Sequence, residues 1–352
     1  MTSGDSTHCP VCAGALGTQL LSSPDRLHGG PGSFSIARCG SCGVAVTLPP
    51  AISAAQLAAY YPNTYGAYSL PSGVLGLCSA LIRSLQSWQA LRTVPLGRLT
   101  EMPAGRLLDV GCGRGDLGAW FIQRGWKAVG VEPSSEACAL ARTRGIEVLI
   151  GTFADAEFEA GSFDVVVFRQ SLEHVTDPIA DLRRAHLALR DGGLLIISVP
   201  NFGCWQRRRF GGHWFHLDVP RHRFHFDGDA LRRALERSGF TGIQTFTSSS
   251  TVGLAASIQY MLAGRCLFPG GLRLRIAAAS CILTLPLTWA VARISQEGDV
   301  LHAVAHKGAI RPTETTPEGF TAVRRFPAET PSASSQAHTE TALTPIAQLR
   351  QR

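Results

Sequence analysis

The chain has 352 residues, a formal net charge of +7, 45% hydrophobic and 17% charged residues, and 10 cysteines. This composition excludes a wholly disordered chain, and the length fits about two domains with a good apolar core. The basic excess admits anionic partners, but no long basic tract demands nucleic acid. The polar start Met1–Thr7 carries no secretory signal, so a cytoplasmic protein with reduced cysteines is expected.

Cys9-Pro-Val-Cys12 and Cys39-Gly-Ser-Cys42 come first, each in a knuckle-like turn beside small residues. The intervening segment can form a hairpin that gathers four thiolates into a tetrahedron. Four sulfur ligands suit a structural Zn²⁺, because no coordination position stays open. In a region this small and glycine-rich, the metal would supply much of the folding free energy. Residues 1–50 therefore read as a zinc-ribbon-like module.

Residues 51–103 read as a helical lid or linker. Leu57, Tyr60, Tyr61, Tyr65 and Tyr68 mark a helix followed by a tyrosine-rich loop, either a packing hinge or a lid over a ligand. Leu77, Leu81, Leu85 and Trp88 recur at helical spacing over 74–91.

From Arg106 the pattern alternates strand and helix, which implies a parallel sheet covered by helices on both faces. Strands are expected at 106–110, 127–131, 146–149, 163–168, 194–199, 241–247 and 300–306. Helices are expected at 117–124, 134–144, 178–190 and 228–238. An insertion runs from about 251 to 294. Arg275 and Arg293 bracket an uncharged run containing Pro286, too short and too kinked for a comfortable bilayer span. A pair of buried or dimer-forming helices is the favoured reading, with peripheral membrane contact through 272–294 as the alternative. The tail 309–352 is rich in Thr, Pro, Ser, Ala and Glu and should be disordered.

The first strand of this series ends in Asp109-Val-Gly111-Cys112-Gly113-Arg114-Gly115. A strand, a glycine loop and a helix bring backbone N–H groups to a ligand at a helix N-terminus. The third glycine arrives one residue earlier than in the G-x-G-x-x-G dinucleotide fingerprint. Asp109, two residues before the first glycine, would repel a pyrophosphate and attract an ammonium group. Glu132 ends the next strand, where a carboxylate can accept hydrogen bonds from both ribose hydroxyls. With Val129-Gly-Val-Glu132-Pro133, this arrangement resembles the class I S-adenosylmethionine (SAM) methyltransferases. The run Leu172-Glu173-His174-Val-Thr-Asp177-Pro178 is similar to their small-molecule branch, including the ubiquinone-biosynthesis O-methyltransferases. The resemblance covers about 106–240 well and the last strand moderately. It implies a Rossmann-like seven-stranded sheet over 104–308 with an antiparallel final strand.

By that resemblance, SAM would contact Asp109, Gly111, Cys112, Gly113, Gly115, Glu132 and Pro133. The adenine would lie near Phe153, Ala154 or Asp155, although Phe153 can equally be core, and Arg169 lines the crevice. Methyl transfer from a sulfonium is an in-line displacement in which a hydroxyl nucleophile must lose a proton. Histidine suits that task near neutral pH. His174 is the candidate base, with His222 as a second.

Residues 205–226 are dense in His, Arg and aromatics and read as a substrate loop. Arg207, Arg208, Arg209, Arg221 and Arg223 could hold a phosphate or carboxylate. His216, Asp218, His222 and His225 form an alternative divalent-metal set. The expected activity is methylation, at oxygen, of a small-molecule, glycan or lipid-linked acceptor. Nucleic acid is not the expected partner, since no aromatic stacking platform is evident. Two competing readings are an RNA methyltransferase with a cysteine ribbon and a non-catalytic SAM-binding scaffold.

Overall fold

In the computed structural model, the described residues are 8–49, 56–57, 59–61, 99, 102–250, 252–265, 286, 290, 294 and 297–308. The expected helix at 74–91, Tyr65, Tyr68, most of the insertion after 265 and the tail 309–352 lie outside them. The described residues all belong to one compact unit, Met1–Thr313.

Apolar runs with little polar interruption form the central strands, as expected where a sheet is covered on both faces. They are β4 (Arg106–Val110), β5 (Lys127–Glu132), β6 (Glu147–Ile150), β7 (Phe163–Arg169) and β8 (Leu189–Pro200). With β10 (Phe240–Ser248) and β11 (Val300–Lys307) they make a seven-stranded sheet ordered β10-β11-β8-β7-β4-β5-β6. The pairs β4–β5, β5–β6, β4–β7 and β7–β8 are parallel. β11 runs antiparallel to both β8 and β10, as the resemblance implied.

Side-chain alternation sorts the strands onto two cores. Leu107, Val165, Val167 and Ile196 face Leu117 and Phe121 of α1 (Asp116–Ile122) and Cys138 and Ala141 of α2 (Ser135–Arg142). Leu108, Val166, Phe168 and Ile197 face Leu182 and Ala185 of α3 (Pro178–Ala188). Capping fixes where the helices begin: Asp177 accepts from the Ile179 and Ala180 N–H groups, with Pro178 in the first turn. The chain steps outward from β4 through β5 to β6, then returns to β7 on the other side of β4. The order reverses there, so the carboxyl ends of β4 and β7 open a crevice at a topological switch point.

The N-terminal cysteine segment makes a second, antiparallel sheet from β1 (Leu16–Pro24), β2 (Ser33–Cys39) and β3 (Ala45–Leu48). Its fourth strand is β9 (Phe224–His225), from the His- and Arg-rich segment. Ala45 pairs with His225 and Val46 with Phe224. The small sheet is thus completed by residues from far along the chain. A two-residue strand has no periodicity to reveal this in the sequence.

The other helices are α4 (Trp205–Phe210), α5 (Gly228–Arg237) and α6 (Gly253–Ala263). Among the described residues, no helix is long and apolar enough to cross a membrane.

Candidate functional site

The glycine loop sits at the carboxyl end of β4. Gly111 has φ +75°, and a Cβ there would lie 2.6 Å from the Ser171 Cβ. Ser171 Oγ in turn donates to the Val110 carbonyl at 2.6 Å. These contacts lock the loop after β7 against the loop after β4. Gly115 (φ +77°) is needed for packing, because a Cβ would strike Ile146 and Ala141. Gly113 (φ +52°) is different: its Cβ would meet nothing within 4 Å. Its bare backbone faces open space, as a ligand-cradling glycine should.

Glu132 ends β5 beside this loop. It accepts from the Gly113 N–H at 3.0 Å and the Ser134 N–H at 2.9 Å. Burial pushes its carboxyl up, and the two N–H groups oppose that shift. Asp109 is buried at the end of β4. Burial raises it to about 7, with Glu132 adding repulsion and Arg169 opposing. Two carboxyl groups therefore share one crevice edge, with Arg169 the positive charge that acts on Asp109. A ligand bringing an ammonium and a diol would satisfy both.

The remaining expected cofactor residues are placed as follows. Cys112 turns its side chain into the core, against Gly130, so only its backbone faces the loop. Pro133, Ala154 and Arg169 are exposed at the carboxyl edge. Phe153 is buried, with its ring 5.7 Å from that of Phe168 and 5.9 Å from that of Phe158, which is the core alternative. The Asp155 carboxylate accepts from Thr152 Oγ1.

Past Ser171, the same loop brings Glu173 and His174 against the 218–225 segment. The Glu173 carbonyl accepts from the Arg223 and Phe224 N–H groups. The Glu173 carboxylate is 1% exposed, and among the described residues neither oxygen has a hydrogen-bond partner. Burial raises it to about 8. His174 Nδ1 lies 3.1 Å from the Arg221 carbonyl and 3.1 Å from the Tyr61 hydroxyl. The His222 ring packs edge-on against it at 4.6 Å, with Nδ1 held by the His216 carbonyl at 2.9 Å. Burial lowers both histidines from their ordinary value, so both rings are neutral near pH 7. Tyr61 belonged to the expected lid. Its contact with His174 brings part of that segment to the site.

The expected arginine cluster does not converge. Arg221 is wholly buried, bidentate to Asp25 and bonded to Asp218. Arg208 pairs with Glu297, and Arg207 lies over the Phe202 ring. The four-residue metal set is likewise dispersed. His216 Nε2 bonds Asp299 and Ser250, and His225 Nε2 bonds Thr47. Of that set, the His222 and Asp218 side chains approach each other, 3.7 Å apart.

Cys9, Cys12, Cys39 and Cys42 do converge, with all four sulfurs within 4.8 Å of one another. Cys9 and Cys42 sulfurs are 3.6 Å apart, and those of Cys12 and Cys39 3.4 Å. A tetrahedral Zn²⁺ with Zn–S bonds of about 2.3 Å would space its sulfurs by about 3.8 Å, so the cluster is of metal-binding size. Gly14 N–H points at the Cys12 sulfur and Cys42 N–H at that of Cys39. Such N–H···S bonds orient thiolate ligands.

Comparison with known proteins finds similarity over part of this chain. Residues 86–245 match a family model described as a methyltransferase domain. A ubiquinone biosynthesis O-methyltransferase of Ruegeria pomeroyi is 42% identical over 110 residues, which cover 29% of this chain and 44% of that protein. Its counterpart in Hahella chejuensis is 36% identical over 128 residues, covering 34% and 53%. The matched region thus spans about half the length of these curated relatives. Among solved structures, a SAM-dependent methyltransferase from Thermotoga maritima, titled a possible histamine N-methyltransferase, aligns over 64% of this chain and 92% of its own. It is 20% identical, with a TM-score of 0.44.

Proposed function

We propose that the chain is a SAM-dependent methyltransferase that methylates an oxygen of a small-molecule, sugar or lipid-linked acceptor. The observation that carries this reading is the pairing of Asp109 and Glu132 at one crevice edge, flanking the open backbone of Gly113. The matched methyltransferase domain supports it, and the names of the curated relatives favour a small-molecule acceptor and oxygen.

SAM, when bound, supplies an electrophilic methyl carbon on a sulfonium. The acceptor oxygen attacks that carbon, the carbon–sulfur bond breaks, and S-adenosylhomocysteine leaves. Asp109 would hold the ammonium end and Glu132 the ribose hydroxyls. The Gly111–Gly115 loop would let backbone approach the amino acid portion. His174 and His222 stand past the loop that Ser171 anchors. As neutral imidazoles, they are suited to receive the acceptor's proton. The four cysteines would hold a structural zinc ion that folds the N-terminal module onto this side of the crevice.

The test is calorimetric titration with SAM. Glu132→Ala should weaken binding about 10- to 100-fold, the loss of one or two charge-assisted hydrogen bonds. Undiminished affinity in both Glu132→Ala and Asp109→Asn would sink the proposal. Labelled SAM incubated with fractionated lipid, glycan and small-molecule extracts would then identify the acceptor.

A further inference from the structure

Asp109 has a cationic neighbour that the pairing of the strands places on its own face. β4 and β7 run in parallel register, with Asp109 opposite Val167 and Val110 opposite Phe168. Paired residues on neighbouring strands share a face, and side chains alternate along each strand. Asp109 therefore lies on the face of Leu107 and Val167, the side covered by α1 and α2. Arg169, two residues past Val167, belongs to that face too. It is the last residue of β7, one step beyond the Val110–Phe168 pair, and so stands across from Gly111. Gln170 follows with φ +55°, its N–H donating to the Ser198 carbonyl at 2.7 Å. A left-handed residue there ends the strand and leaves Arg169 at its rim.

Arg169 is exposed, and among the described residues it enters no hydrogen bond or ion pair. Other arginines of the chain are committed. Arg114 and Arg144 pair with Asp116, Arg221 pairs with Asp25 and Asp218, and Arg223 donates to Thr176 Oγ1. The Arg169 charge acts on Asp109 without touching it. With Glu132, the edge thus carries two carboxyl groups and one guanidinium. SAM carries the inverse set: an ammonium, a sulfonium and one carboxylate. Its ammonium and carboxylate hang from one carbon atom. A site that holds the first beside Asp109 leaves the second within reach of a cation on the neighbouring strand.

We propose that Arg169 holds the carboxylate of the SAM amino acid portion and, with Asp109, makes the site specific for an α-amino acid end group. The assignment rests on the methyltransferase reading. A guanidinium can take a carboxylate through two parallel N–H···O bonds, a geometry that an ammonium cannot reproduce. Arg169 is then a specificity-determining residue. A sulfonium nucleoside that keeps the ammonium but lacks the carboxylate sets that ammonium against an unanswered guanidinium, and like charges facing each other select against it.

The test is calorimetric titration of the full chain with two ligands, SAM and decarboxylated SAM, which differ only in that carboxylate. The unsubstituted protein should prefer SAM by about 10-fold or more, the worth of a hydrogen-bonded charge pair. Arg169→Met should weaken SAM by a similar factor while decarboxylated SAM binds as before or better, so that the preference collapses. Binding of decarboxylated SAM also shows that the variant is folded. Arg169→Lys should restore part of the preference, because it returns the charge without the fork. A preference that survives in Arg169→Met, or an unsubstituted protein that does not distinguish the two ligands, would overturn the proposal and leave the methyltransferase reading standing. If neither ligand binds the unsubstituted protein, the methyltransferase reading falls and this assignment falls with it.

Discussion

Asp109 is held at an energetic disadvantage where it stands. Its buried carboxyl is raised to about 7 from an ordinary 3.8. The folded protein therefore binds more protons than the unfolded chain between those values, and this residue's contribution to stability falls as pH rises through 7. Asp109→Asn removes the buried charge. It should raise the thermal midpoint at pH 8, by up to about 4 kcal/mol in stability, with little gain at pH 4, as a pair of melting curves would reveal. The same variant should lose most of its SAM affinity. In the unsubstituted protein, SAM affinity should increase from pH 6 to pH 8 as the carboxyl ionises. Binding near neutrality should release protons, measurable as a dependence of binding heat on the ionisation enthalpy of the buffer. The placement of Asp109, Glu132 and the glycines at one crevice edge was legible in the sequence because it depends on short spacings along one strand–loop–helix–strand unit. Arg221 was not, since its partner Asp25 lies 196 positions away and no local pattern links them. It reads as a substrate-binding cation and is in fact an internal tie. The preference of Nδ1 on His174 and His222 for main-chain carbonyls was equally hidden, because it depends on tertiary contact alone.

At the scale of elements, the strands and helices of the large sheet were readable from apolar runs, cap residues and alternation. The expected boundaries differ from those found mainly at helix ends, where the last turn frays into loop, and at β8, whose start extends back to Leu189. β9 was invisible. It is held less by its own two residues than by what surrounds it. Thr47 Oγ1 donates to the His222 carbonyl, and Thr47 N–H donates to that of Arg223. Arg221 joins Asp25 just beyond β1 to Asp218 before β9. Burial would by itself raise the Asp25 carboxyl, yet the Arg221 hydrogen bonds and charge outweigh it and hold the group below its ordinary range. Arg221→Met should leave two buried carboxylates without a counter-charge and cost about 3–5 kcal/mol, read as a lowered midpoint in urea denaturation. A triple variant that also carries Asp25→Leu and Asp218→Asn should recover part of that loss.

At the scale of the whole molecule, the N-terminal segment is more than an appended module. Cys9, Cys39, Cys42, Val44 and Val46 share one apolar cluster with Ala230, Leu231 and Ala234 of α5. Arg233 reaches across to donate to the Cys42 carbonyl. A chain truncated to start near residue 104 would expose that face of α5 and strand β9 without its neighbour. It should aggregate or melt without cooperativity, as light scattering and calorimetry would show. With zinc on the four cysteines, as proposed, its removal by a strong chelator should act in the same direction but locally. It should lower the midpoint and disturb the tyrosine and histidine signals around Tyr61 and His174, while SAM affinity changes less than about fivefold, since the Asp109–Glu132 edge is built from β4 and β5 alone.

The shared sheet has a practical corollary for redesign. Exchanging residues 205–226 with those of a homologue would transplant one strand of a four-stranded sheet, because β9 and its clasp on Asp25 are completed by residues 16–48. The two stretches form one cassette despite their distance along the chain. A working chimera must move both together, and swaps that carry only the later one should fail at folding, before any question of selectivity arises.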